Sequence, residues 1–173
     1  SRGSNATRVN SSGLIETMPL ELGSEEVTNG IDWVGATGST KPNGWIEGSS
    51  VSIPNYSVVS GALTLTATTN GTRARFIQVI SVDIGKKYKF TYNGWGGLAT
   101  STLFLGSSSS QSDYHFSTGT SASSYEGVIT ATTNEIHIDF RTSGNINSYL
   151  SIDNISVKEV ISGLDLPRLD YSD

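Results

Sequence analysis

Nearly every apolar stretch of this chain is short and alternates apolar with polar positions at period two, with clusters of Gly, Asn, Ser and Thr between the stretches. That period sends successive side chains to opposite faces of an extended strand, whereas an amphipathic helix needs apolar residues three and four apart. Ser supplies 28 and Thr 19 of the 173 residues, a composition that favours strands and turns over surface helices. Asn-Gly stands at Asn29-Gly30, Asn43-Gly44, Asn70-Gly71 and Asn93-Gly94, and each pair can supply the positive φ of a tight turn where a strand must stop. The pattern predicts strands over residues 26–28, 44–47, 62–68, 73–81, 87–93, 100–106, 125–132, 134–141 and 149–160. So many strands without intervening helices predict an all-β, two-sheet antiparallel sandwich.

A chain of this length suits one domain with some flanking sequence. Residues 24–160 carry the alternating pattern, and residues 1–23 and 161–173 read as connecting segments. The chain opens Ser1-Arg2-Gly3-Ser4, with no initiator Met or signal-like apolar stretch, which suggests a piece of something longer. With 16 acids against 11 bases, a net charge of -5 and no basic cluster beyond Lys86-Lys87, nucleic acid is not an expected partner. The absence of Cys excludes disulfides, thiolate zinc sites and cysteine nucleophiles. No apolar run approaches the roughly 20 residues of a membrane-spanning helix, so no membrane insertion is expected.

Two segments carry the clearest patterns. Gln78 to Tyr92 reads as a hairpin around Ile84-Gly85-Lys86, with Tyr88, Phe90 and Tyr92 on a buried face and Lys87, Lys89 and Thr91 opposite. The strand 134–141 alternates Ile136, Ile138 and Phe140 with Glu135, His137, Asp139 and Arg141, so period two places the four polar residues on one side. That side is either a polar groove for a ligand or a solvated face held by cross-strand charge pairs. Catalysis is not expected. Glu135 and Asp139 lie four strand residues apart, about 13 Å at about 3.3 Å per residue, beyond the roughly 5 to 10 Å of a glycosidase pair. Neither His lies near a Gly-x-Ser-x-Gly nucleophile turn, and there is no His-Glu-x-x-His.

Across residues 24–160, Val27-Thr-Asn-Gly30, Asn43-Gly-Trp45, Gln78 with Gly85-Lys-Lys-Tyr88, and Ser151-Ile-Asp-Asn-Ile155 occur in the order and spacing of jelly-roll, galactose-binding-like carbohydrate-binding modules, which this chain resembles. It departs from the family where Ile31-Asp32-Trp33 follows Asn29-Gly30 in place of a small residue, Phe and an acid. The resemblance implies a jelly roll that binds a polysaccharide or cell-surface glycan without chemistry. It also implies a structural calcium ion held by Asp153 with Asp32 or Glu25, since calcium takes six to eight oxygens from carboxylates and carbonyls. By alternation Asp153 shares a face with Tyr149, Ser151, Ile155 and Val157, so its charge needs a partner, whether a metal, water or backbone amides.

A sugar ring presents a C–H face that stacks on an aromatic ring, with its hydroxyls met by polar groups. Trp95, within Asn93-Gly-Trp-Gly-Gly97, is the first candidate platform, and a Trp folded back as a lid is the other reading. Trp33 and Tyr114 are further candidates, Tyr114 together with Phe116, while Trp45 sits where the family places a core Trp. In the groove reading His137, Asp139 and Arg141 meet the hydroxyls, Arg141 through a paired contact and Asp139 by accepting from two of them.

Ala6-Thr-Arg-Val-Asn-Ser-Ser-Gly-Leu-Ile-Glu16 and Leu166-Pro-Arg-Leu-Asp-Tyr171 resemble two halves of a segment found in tailed-phage virion proteins. That resemblance implies a module inserted into a tail fibre or related adhesion structure, located on the virion or outside the cell. Its partners would be a host glycan and other virion subunits, with a homo-oligomer as one form of assembly. The alternative is a structural decoration or assembly domain that binds no sugar.

Overall fold

The structure, a computed structural model, describes residues 7–9, 11–17, 20–48, 54–97, 101–119 and 123–162. Among these there is no helix. The strands are β1 Thr7–Val9, β2 Ile15–Thr17, β3 Glu21–Glu25, β4 Ile46–Glu47, β5 Asn55–Val59, β6 Ala62–Thr66, β7 Arg75–Ser81, β8 Lys87–Gly97, β9 Ser101–Gly106, β10 His115–Gly119, β11 Ser123–Thr130, β12 Glu135–Arg141 and β13 Tyr149–Ser162. One sheet has the order β10-β9-β12-β7-β4, the other β11-β8-β13-β6-β5, with β3 also paired to β13. The two antiparallel sheets form the expected jelly-roll sandwich.

The inner faces follow from the alternation. Tyr88, Phe90 and Tyr92 of β8 are buried, as are Phe76 of β7 and Ile136, Ile138 and Phe140 of β12. Between the sheets Trp45 stacks on Phe76 at 4.2 Å, and Trp33 lies 5.8 Å from Trp45. Burial of so many aromatic and branched side chains is the main stabilising term, each fully buried ring or aliphatic group contributing about 1.5–3 kcal/mol. Gln78 is a polar residue of this interior: it accepts from Thr28 N (3.1 Å) and donates to the Thr28 and Gly44 carbonyls (2.9 and 3.2 Å). It ties the two Asn-Gly loops to β7.

Three readings of strand pairing and phase need correction. Gln78 to Tyr92 is not a hairpin: Gly85 does turn the chain with φ +85, but β7 and β8 belong to opposite sheets, so the turn crosses the sandwich. Asn93-Gly94 is not a turn either. From Tyr92 to Trp95 β8 takes three steps while β11 takes two, Tyr125 to Ser123, and from Asn93 to Gly96 β13 again takes only two, Asp153 to Ser151. Both neighbours therefore place a β-bulge at Asn93-Gly94, a site where the chain uses Gly to kink without stopping. Finally, Asp153 does not share a face with Ile155 and Val157. Between Asp153 and Ser156 β13 carries an extra residue, with Asn154 at φ +51, and the phase flips so that Ile155 and Val157 are buried.

β1 and β2 form a separate two-stranded sheet. β3 begins at Glu21, ahead of the boundary at residue 24, and joins the larger sheet through β13. Residues 166–171 lie outside the described residues.

Candidate functional site

The outer face of the five-stranded sheet collects the polar side of β12. Register places Asp139 between Ile77 of β7 and Phe104 of β9, and Arg141 between Arg75 and Thr102. Phe116 of β10 stands beside Phe104. All four residues named from alternation, Glu135, His137, Asp139 and Arg141, do occupy one side of the strand.

Their roles on that side differ sharply. Asp139 is 0% exposed, and its two oxygens are fully engaged. Arg75 donates to it from Nε (3.0 and 3.2 Å) and Nη2 (2.6 Å). Arg141 donates from Nε (3.2 Å) and Nη2 (2.6 Å), and the Ser110 amide adds a bond of 3.1 Å. Burial alone would raise the Asp139 pKa, but the hydrogen bonds and charges of Arg75 and Arg141 outweigh it and hold the carboxyl below its ordinary range. A carboxylate so enclosed cannot accept from ligand hydroxyls, so the expectation of direct contact is corrected: Asp139 positions the two guanidinium groups.

Those groups keep some freedom. Each Arg uses Nε and Nη2, and neither Nη1 has a partner among the described residues. The side chains of Arg75 and Arg141 remain 15% and 14% exposed. Arg141 also covers Phe104, its Cζ 4.5 Å from the ring centroid, and Phe116 meets Phe104 edge-on at 5.3 Å. Phe116 is 48% exposed, and Ile46 and Val79 on the same face are open as well. Gly48 leaves space for the Arg75 stem, since a Cβ there would collide with Arg75 Cδ.

The loop from β9 to β10 closes over this face. Ser110 Oγ accepts from Nη2 of both Arg75 (3.2 Å) and Arg141, and Ser109 Oγ lies 3.4 Å from His137 Nδ1. Asp113 accepts from the Ser107 amide at 3.1 and 3.3 Å and closes the loop base. His137 Nε2 is 3.1 Å from Glu135 Oε2. His137 is thus held between a loop hydroxyl and a neighbouring carboxylate, on the rim of the face.

Other candidates fall elsewhere. Trp33 is 1% exposed in the core, so it offers no ring face to a sugar and the expectation is corrected. Trp45 is buried as a core residue, donating from Nε1 to the Thr28 carbonyl at 3.0 Å. The backbone of Trp95 lies within β8 opposite Ser123, not in a loop, and its side chain is outside the described residues. Tyr114 turns away from the face: its hydroxyl accepts from the Thr132 amide at 2.9 Å and pairs with Thr132 Oγ1 at 2.8 Å.

For calcium, no cluster of three His, Cys, Asp or Glu side chains occurs among the described residues, so Asp153, Asp32 and Glu25 are not assembled into one set. Glu25 Oε1 accepts from the amides of Val27 (3.2 Å) and Val157 (2.8 Å), and Oε2 from Ser156 Oγ (2.6 Å). Asp153 Oδ2 accepts from Asn154 Nδ2 at 2.8 Å. N–H and O–H donors occupy both oxygens of Glu25, so Glu25 as placed does not offer them to a cation.

Phe104, Phe116 and Arg75 complete the face, and of these Arg75 and Phe104 were not singled out from the sequence. Only the pairing of β7 and β9 with β12 brings them together.

No protein-family model and no curated protein matches the sequence. Solved structures do match in fold. One is the enzymatically active domain of tailspike protein 4 from bacteriophage CBA120, at 15% identity and TM-score 0.55, covering 79% of this chain but 21% of that one. A family 4 carbohydrate-binding module matches at 16% identity and TM-score 0.50, covering 76% of this chain and 98% of that one. A second module, from family 16, matches at 12% identity and TM-score 0.50 with the same coverage. The whole sandwich is therefore built like complete carbohydrate-binding modules, and like about a fifth of a phage tailspike domain.

Proposed function

We propose that this chain is a non-catalytic carbohydrate-binding module that takes a polysaccharide or cell-surface glycan on the outer face of its five-stranded sheet. The observation that carries the reading is the half-exposed Phe116 beside Phe104, with the Arg141 guanidinium laid over Phe104 and clamped by the buried Asp139. An aromatic and aliphatic surface receives the C–H face of a sugar ring, and fixed guanidinium donors meet its hydroxyls. The buried, ion-paired Asp139 is no general acid, which agrees with a binding rather than a hydrolytic role. The likeness in fold to carbohydrate-binding modules supports the ligand class, and the likeness to part of a tailspike supports a place on a virion or outside the cell, in contact with a host surface.

Affinity electrophoresis through gels containing xylan, mannan, galactan or mixed-linkage glucan tests the reading. At least one polysaccharide should retard the parent chain, and Arg141→Ala and the pair Phe104→Ala/Phe116→Ala should each weaken retardation at least tenfold. If none of these polysaccharides retards the parent chain, the reading falls.

One feature favours the alternative of an assembly domain. The β1–β2 hairpin exposes Val9, Leu14 and Ile15, and a lone two-stranded sheet is marginal in water without a surface to pack on. A tight, concentration-dependent oligomer that dissociates on changing Leu14 and Ile15 to Ser would support that role.

A further inference from the structure

The opposite side of the sandwich carries a second hollow. On the outer face of the six-stranded sheet, Thr91 and Asn93 of β8 and Ser124, Tyr125 and Glu126 of β11 line an open depression of about 450 Å³. That is within the range of small-ligand sites, about 300–1,000 Å³. It lies where β8 bulges at Asn93-Gly94, so that two residues of β8 face Ser124 alone. Bulges re-aim side chains and recur beside binding sites.

The chemistry of the lining is uncommitted. Thr91, Asn93 and Ser124 have no side-chain hydrogen-bond partner among the described residues, and Glu126 is held in place by Lys89 at 2.8 Å. Two hydroxyls, one amide and one carboxylate supply both donors and acceptors, whereas a phosphate or sulfate would want donors alone. The floor is firm. Tyr125 packs inward, stacked on His115 with centroids 3.7 Å apart and on Tyr92 at 5.9 Å. On the other flank register sets Asp153 beside Asn93 and Ser156 beside Thr91, extending the polar rows across a third strand.

We infer that this hollow is a second saccharide-binding site, separate from the Phe104–Arg141 face and on the other sheet. The polyol ligand class is that of the proposed function, but the site is independent of it. Two faces on opposite sheets would let one chain hold two segments of a glycan, raising avidity without new contacts at either site.

The test is a backbone-amide NMR titration of the full chain with xylohexaose, mannohexaose and laminarihexaose at millimolar concentration. At least one oligosaccharide should move the amides of Thr91, Asn93, Ser124 and Glu126 along their own saturation curve. Asn93→Ala/Ser124→Ala should weaken that curve at least fivefold and leave shifts near Phe104 unchanged, and Arg141→Ala should do the reverse. Movement near Phe104 and Arg141 with these four amides still overturns the inference and leaves the proposed function standing. Movement of the four amides alone upholds the inference and removes the Phe104 face, and no movement at either place overturns both.

Discussion

Arg141 lies over the ring of Phe104, its guanidinium carbon 4.5 Å from the centroid, while the same group hydrogen-bonds the buried Asp139. The planar fork can do both at once, and a flexible ammonium cannot. Arg141→Lys should therefore weaken polysaccharide retardation nearly as much as Arg141→Met, by about tenfold, which corresponds to about 1.4 kcal/mol. Retention of parent-like mobility shifts by the Lys variant would show that charge alone suffices.

Asp139 pairs with two guanidinium groups in a closed setting. Removing one partner of a buried ion cluster costs about 3–5 kcal/mol because uncompensated charge stays behind, whereas replacing the whole cluster by apolar groups is far milder. Urea denaturation should show that loss for Asp139→Ala and recovery of most of it in Asp139→Ala/Arg75→Met/Arg141→Met. A loss below about 1 kcal/mol in the single variant would mean that the triad does not hold the face together.

His115 sits among Phe90, Tyr92 and Tyr125 with Nε2 buried and unpartnered, and burial lowers its pKa. The unfolded chain then binds a proton more readily than the folded one. The stability tied to neutral His115 is present above the ordinary value of 6.5 and is lost as the pH falls through the depressed folded value. Thermal melts between pH 7 and 5 should fall in the parent chain and stay flatter in His115→Phe. The Asp139 contribution, whose folded pKa is also depressed, is lost only in the more acid range below the usual carboxylate value. Equal slopes for parent and His115→Phe would place the acid-sensitive group elsewhere.

Glu25 spends both oxygens on the amides of Val27 and Val157 and the hydroxyl of Ser156. Melting temperature should accordingly match in excess calcium and in excess chelator, and Glu25→Gln should cost stability by the same amount in both. A calcium-dependent rise in the melting temperature would restore the metal at Asp153.

The fold was legible because its signal is local: alternation in β8 and β12 names their buried faces, and Asn29 and Gly71 do adopt positive φ. What was not legible depends on pairing. Gly85 marks a turn in either reading, yet nothing within Gln78 to Tyr92 says whether the strands that it joins share a sheet. A bulge and a turn use the same Asn-Gly, and the difference at Asn93-Gly94 is decided by β11 and β13, far along the chain. At the site, Arg141 and Asp139 could be placed on one side of a strand from spacing alone. Their burial comes from Arg75 across the ladder and from the Ser109–Ser110 loop folding over them, two contacts of large sequence separation.

The fourteen residues of β13 bond with β3, β6 and β8. A nascent polypeptide emerging from its amino end would thus hold an open edge on each of these three strands, β6 and β8 being paired only with β5 and β11, until β13 leaves the ribosome. Such dependence on distant contacts slows folding and leaves strand edges open to mispairing in the interval. Shortening that ribbon would therefore be felt first as poor yield and clumping during synthesis, before any effect on the proposed glycan binding could be measured.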